Sequence, residues 1–199
     1  MDELETALRA AAARLPEAAA PVVDRAAREG LLDVAYATTN SPVGPLLLAA
    51  TPAGVVRVSF AREGFDDVLT GLAARISPRV LEAPRRLDAV RRQLEEYFTG
   101  RRTAFDVPLD RRLATGFRAK ALGAIAAIPY GHTGTYGSIA AAAGSPRAVR
   151  AAGTACATNP LPLLIPCHRV VRSDGSMGRY GGGVEAKRLL LEHEHALPS

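Results

Sequence analysis

Between residues 34 and 60 short apolar runs alternate with Pro and Gly breaks. DVAYATT is followed by Ser41-Pro42-Val43-Gly44, PLLLAAT by Pro52-Ala53-Gly54, and then comes VVRVSF. Runs rich in Val, Tyr, Thr and Leu between turn residues predict strands joined by hairpins. The period then changes. Apolar residues at 65, 68, 69, 72 and 76, and again at 87, 90, 94 and 98, predict two helices, Phe65 to Ile76 and Arg85 to Phe98, each with one buried face. Gly100 follows as a stop. Residues 101–110 (RRTAFDVPLD) keep neither period and mark a boundary. Beyond it three helices are expected: Thr115 to Ile128, ended by Pro129; about Gly137 to Ala143, ended by Gly144; and one that starts at once, with Ser145 as N-cap and Pro146 in the first helical position. Ahead of the strands, residues 1–33 read as an Ala-rich helical extension interrupted by Pro16 and Pro21. The fold class is therefore α/β: a small β-rich N-terminal domain (34–110) with flanking helices, plus a helical C-terminal domain (111–199) containing a helix-turn-helix.

At 199 residues, 48% of them hydrophobic, the chain has enough apolar material for a core. It has no apolar run long enough to span a bilayer. Its first residues (MDELETALRA) lack the basic start and apolar centre of a secretory signal, so a soluble, cytoplasmic protein is expected. Charge is unevenly placed. Residues 1–110 carry 14 Arg/Lys against 16 Asp/Glu, whereas residues 111–199 carry 11 against 4. A basic back half suits contact with a polyanion. The third predicted helix is made of small residues and arginine (Arg147, Ala148, Val149, Arg150, Ala151, Ala152, Gly153), which suits close approach to a narrow groove or tight packing on another helix. A helix-turn-helix pattern alone does not separate a DNA reader from an ordinary helical hairpin.

Only two cysteines are present, Cys156 and Cys167. They form neither a disulfide framework nor a set with metal-ligand spacing. Cys167 stands at the end of Asn159-Pro160-Leu161-Pro162-Leu163-Leu164-Ile165-Pro166, an apolar, Pro-flanked stretch expected to be a buried strand or turn. A cysteine attacks as the thiolate, so it needs a base and positive charge nearby. His168 is the candidate base, through a bridging water because adjacent residues point apart, and Arg169 the candidate positive charge.

Here the chain resembles the O6-alkylguanine-DNA alkyltransferases. Ile165-Pro166-Cys167-His168-Arg169-Val170 is that family's active-site signature unchanged, with Asn159-Pro160 upstream and Gly178-Arg179-Tyr180-Gly181-Gly182-Gly183 downstream at the family's spacing. The resemblance implies a role for each matching position. Cys167 is the alkyl acceptor, His168 draws off its proton through water, and Glu194 orients that His. Asn159 ties the helix-turn-helix to the active-site loop. Tyr136 touches the flipped base and donates a proton to it. Arg150 fills the gap left in the duplex, while Arg147, Ala151 and Gly153 face the DNA. Tyr180 and the glycines after it close over the base, and backbone groups near Val170 and Gly181 read its edge. Lys187 is a basic residue behind the pocket. For Tyr180 and Lys187 the bland alternatives are a capped turn and a solvated helix face.

The resemblance thus implies a DNA-repair methyltransferase that binds duplex DNA in the minor groove and flips out O6-alkylguanine, with O4-alkylthymine as a further candidate. The alkyl group goes irreversibly to Cys167 in one turnover, with no cofactor and no metal, and all the chemistry sits in the C-terminal domain. The protein is expected to be a monomer, its cooperativity on DNA left open. Cys156 falls where a larger apolar residue is usual, and Gly181 where some members carry Ser. Rival readings are a lesion sensor, which would lack Cys167, a helix-turn-helix regulator, which would leave Cys-His-Arg unexplained, and a cysteine hydrolase, which would turn over many times.

Overall fold

The structure, a computed structural model, describes Arg25 and residues 29–197. The predicted helical extension therefore lies almost wholly outside the described residues. The strands fall where the apolar runs between turn residues placed them: β1 (Val34–Thr39), β2 (Leu46–Thr51) and β3 (Gly54–Phe60) form an antiparallel meander. A short strand that the sequence pattern did not reveal, β4 (Val80–Glu82), joins parallel to β1, giving the order β3-β2-β1-β4.

Strand alternation sorts the apolar residues into two layers. Leu47 and Ala49 of β2 join Val34 and Val56 on one face, packed with Leu72 of helix α1 (Phe65–Arg75). Leu46 and Leu48 face the other way, onto Val90, Leu94 and Tyr97 of helix α2 (Asp88–Phe98). This explains the unbroken LLLA run: β2 is covered on both faces. Residues 84–87 form a single 3-10 turn, so α2 starts at Asp88 rather than Arg85.

Residues 101–110 are irregular, as their lost periodicity suggests, yet they are pinned to the sheet edge. Val55 N–H donates to Pro108 O (2.8 Å), and Asp110 N–H donates to Val55 O (2.8 Å). Gly54 permits this approach, because its φ is +137° and any side chain there would collide with the Pro108 carbonyl.

The back half supplies helices α3 (Gly116–Ala126), α4 (Tyr136–Ala142), α5 (Val149–Ala157) and α6 (Val184–His193), with strands β5 (Gly134–Thr135) and β6 (Val170–Val171) paired in parallel. One apolar cluster runs from Leu46 and Val58 through Leu122, Ile139 and Ile165 to Leu190.

The helix-turn-helix corrects one expectation. The third predicted helix begins at Val149, not at Ser145-Pro146. Ser145 N–H instead donates to Ala140 O (2.9 Å) and Gly144 N–H to Ala141 O (2.9 Å), with Gly144 at φ +81°. This is the Schellman closure of α4, so Ser145 ends one helix instead of starting the next. Residues 145–148 form a turn closed by Ala148 N–H to Ser145 O (2.8 Å), and Arg147 sits on that turn.

Candidate active site

The stretch from 159 to 171 is buried at every residue and takes the turn form rather than the strand form of the expectation. Leu163 takes a left-handed φ of +72°, and Cys167–Arg169 make a 3-10 turn before β6. This compact path puts Cys167 back against Asn159. The Asn159 Nδ2 donates to Ile165 O (2.8 Å) and to Cys167 Sγ (3.1 Å), while its Oδ1 accepts from Leu161 N–H (3.0 Å). One side chain thus shapes the loop and holds the sulfur.

Burial pushes the Cys167 thiol up to about 11. The Asn159 hydrogen bond and the Lys187 ammonium pull in the other direction. Lys187 is fully buried, which removes the solvated-face alternative. Its Nζ donates to Val170 O (2.5 Å) and also to Met177 O. Val170 is therefore held at its carbonyl, and burial lowers Lys187 to about 8.

Arg169 does not serve the sulfur as expected. Its Nε donates to Glu194 Oε2 (2.7 Å), its Nη2 to Glu194 Oε1 (3.0 Å) and its Nη1 to Ile128 O (2.5 Å). The positive charge acting on the thiol comes from Lys187, because Arg169 is drawn away to the carboxylate.

His168 Nε2 lies 2.9 Å from Glu194 Oε1. Burial keeps the imidazole from charging, against the opposing pull of Glu194. A hydrogen on Nε2, pointing at the carboxylate, leaves Nδ1 as the basic atom, and Nδ1 is buried without a partner among the described residues. Glu194 is itself held down at about 2 despite its burial, by hydrogen bonds from His168 and Arg169.

A residue that sequence reasoning missed completes this cluster. Tyr97 of α2 donates its hydroxyl to Glu194 Oε1 (2.6 Å). The expectation that the C-terminal half carries the whole site therefore fails by one side chain. The signal was available in the chain: 90, 94 and 97 share a helix face, and a tyrosine on a buried face needs a partner for its hydroxyl.

Of the other predicted residues, Tyr136 and Tyr180 lie close enough to Cys167 for its charge to add to burial in raising their hydroxyls. Tyr136 opens α4 and is half-buried, with burial raising its hydroxyl. Gly178 packs so closely that a methyl group there would lie 2.6 Å from the Tyr136 hydroxyl. Gly153 of α5 lies beneath the same ring. The Tyr180 ring sits edge-on to Phe60 (5.5 Å) and His168 (6.2 Å), and its buried hydroxyl has no partner among the described residues. Gly181 is exposed, and Gly182 fits tightly under Phe60. Arg147, Arg150 and Ala151 are exposed on the α5 side. Cys156 is buried in α5, its thiol pushed up to about 12 by burial, which fits the packed-residue reading.

Replacing Lys187 with Met separates its charge from its bulk. Wild type has a lysine whose folded value (about 8) lies below its ordinary 10.5. Its unfolded chain holds the extra proton between these values, so relative to Lys187→Met the wild type gains stability as pH rises from about 8 to 10.5. The shift corresponds to roughly 3 kcal/mol across that window. Urea titrations of both proteins over this range check it. Parallel curves would show that the ammonium is not held against its solvation preference.

A buried thiol held by Asn159, next in sequence to a His–Glu pair, in a half that carries a helix-turn-helix, is the arrangement expected of a cysteine-dependent enzyme of nucleic acid. Comparison with known proteins narrows this. The sequence profile described as "6-O-methylguanine DNA methyltransferase, ribonuclease-like domain" matches residues 34–111, and that described as "6-O-methylguanine DNA methyltransferase, DNA binding domain" matches residues 116–196. The methylated-DNA–protein-cysteine methyltransferase of Mycobacterium bovis is 38% identical over 159 residues, 80% of this chain and 91% of that protein. The constitutive enzyme of that name from Bacillus subtilis is 36% identical over 163 residues, 80% of this chain and 94% of its own. The crystal structure of Mycobacterium tuberculosis O6-methylguanine methyltransferase superposes with a TM-score of 0.72 at 37% identity, over 83% of this chain and 95% of that one. A structure of the M. tuberculosis protein in complex with DNA gives the same TM-score and identity, over 81% and 93%. The chain belongs to the 6-O-methylguanine DNA methyltransferase family.

Proposed function

We propose that this protein repairs DNA by direct reversal, moving the alkyl group from O6 of a flipped-out guanine to Sγ of Cys167. The observation that carries the reading is the setting of that sulfur: Asn159 donates to it at 3.1 Å, and the adjacent His168 is paired with Glu194 at 2.9 Å. In the reaction the Cys167 proton passes through a water to His168 Nδ1, and Glu194 stabilises the imidazolium that forms. The thiolate attacks the alkyl carbon in line. A C–S bond forms as the C–O bond breaks, and the electron pair of that bond leaves on guanine. Tyr136 delivers a proton to neutralise the leaving base.

A base stacked in a duplex cannot reach a thiol in this interior, so extrusion must precede transfer. The exposed Arg147, Arg150 and Ala151 supply the face that meets the minor groove, and the small residues of α5 allow the backbone to come close. The thioether is stable to the groups in the site, so each molecule acts once.

The test is mass spectrometry of the protein after incubation with a duplex carrying one O6-methylguanine. A gain of one methyl group per molecule is expected, and peptide mapping should place it on Cys167 rather than Cys156. Tight lesion binding without a mass gain would make the protein a sensor instead, and methylation of Cys156 alone would move the acceptor.

A further inference from the structure

We infer that Tyr97, contributed by helix α2 of the N-terminal half, is a positioning residue of the thiol-activating relay and fixes Glu194 in the orientation that holds His168. The inference rests on the proposed role of Cys167 as acceptor. Four donor contacts converge on the Glu194 carboxylate. Oε1 accepts from Tyr97 Oη (2.6 Å), His168 Nε2 (2.9 Å) and Arg169 Nη2 (3.0 Å), and Oε2 accepts from Arg169 Nε (2.7 Å). Two of these come from one guanidinium, whose planar fork sets the plane of the carboxylate. Tyr97 supplies the contact from the opposite layer, on the very oxygen that His168 uses.

Tyr97 is held at both ends. Its carbonyl accepts from His193 Nε2 (2.7 Å), next in sequence to Glu194, and its ring packs on Phe105 at 5.3 Å. The hydroxyl stays protonated, because burial and the adjacent Glu194 charge both raise it far above its ordinary range. It can only donate to the carboxylate. The charged and titratable groups around this relay are Glu194, Arg169, Lys187 and Tyr180 about His168, and Glu194, Arg169, Tyr130 and His193 about Tyr97.

Tyr97→Phe keeps the ring and removes only the donor. Loss of this hydrogen bond leaves the carboxylate more basic toward the His168 it still pairs with. His168 then holds a proton more readily, and its Nδ1 is protonated over more of the neutral range. The expected result is single-turnover methyl transfer slowed about tenfold at neutral pH, with the acid limb of the pH–rate profile moved to higher pH and lesion affinity unchanged. Phe105→Leu, which loosens the same ring contact, should lower the melting temperature and leave the limb in place. A Tyr97→Phe protein with the wild-type rate and profile would overturn the inference, as would Phe105→Leu reproducing the limb shift. Failure of wild type to gain a methyl on Cys167 would instead remove the reading on which the inference rests.

Discussion

Glu194→Gln is expected to lower stability by about 3 to 5 kcal/mol and to slow methyl transfer by roughly 10²- to 10³-fold. The reason is a count of donors and acceptors. The carboxylate receives His168, Tyr97 and both Arg169 nitrogens. An amide offers one oxygen and one NH₂ group. With its oxygen in the Oε1 position, the NH₂ faces Arg169 Nε, donor against donor. In the flipped orientation the NH₂ faces His168 Nε2 and forces the imidazole hydrogen onto Nδ1, which removes the basic atom from the side of the thiol. Either way Arg169 keeps its charge in a buried place without a counter-ion. The same carboxylate sets an acid sensitivity. Its folded value (about 2) lies below its ordinary 4.5, so its contribution is complete above pH 4.5 and is lost as pH falls toward 2. His168, also depressed when folded, favours the native state above its ordinary 6.5 and loses that contribution as pH falls below it. Wild type should therefore weaken progressively below about pH 6.5, and the variant should lack the steep part below 4.5. Denaturant unfolding at a series of pH values, with single-turnover kinetics on a lesion duplex, checks both. A variant with wild-type rate and acid profile would contradict the relay.

Asn159→Ala is the second large effect. Its three contacts all lie inside the buried segment. Removing the side chain orphans Leu161 N–H, at about 1 to 3 kcal/mol, takes from Ile165 O one of its two donors, the other being Cys167 N–H, and opens a small void where the loop was pinned. The sulfur also loses the contact that most favours its ionised form. Stability should fall by about 2 to 5 kcal/mol, and methyl transfer by on the order of 10²-fold, as the thiol becomes harder to ionise and loses its fixed position. Asn159→Asp keeps the acceptor for Leu161 but sets a charge beside the sulfur, so it should recover loop stability in part and no transfer rate. Equal rates in both variants and wild type would show that the Sγ contact is passive.

Much of this was legible along the chain, for local reasons. Strands β1 to β3 follow from short apolar runs between turn residues, and α1 from a single apolar face. The helix-turn-helix follows from Gly144, though not the start of its second helix, because Ser145-Pro146 fits a C-terminal closure as well as an N-terminal cap and the choice depends on which backbone groups need partners. The thiol and its histidine were legible in the Cys-His-Arg segment, whereas Glu194 came only from the resemblance to the alkyltransferase family. Arg169 was assigned to the sulfur because sequence proximity says nothing about direction, and its long side chain reaches a carboxylate 25 positions away. Tyr97 lies 97 positions from its partner. Such a pairing leaves no local trace beyond a polar-tipped aromatic on an apolar face.

The edge of the sheet carries a last consequence. Pro160, next to Asn159, accepts from the backbone N–H of Val58 at 2.9 Å. An edge strand usually presents open amides to solvent or to another chain, but here the thiol-bearing segment itself closes this one. The Val58 amide can swap its hydrogen for deuterium only when that segment lifts away. Its protection factor therefore reads directly the free energy of loosening the reactive loop, in the resting protein and without any DNA.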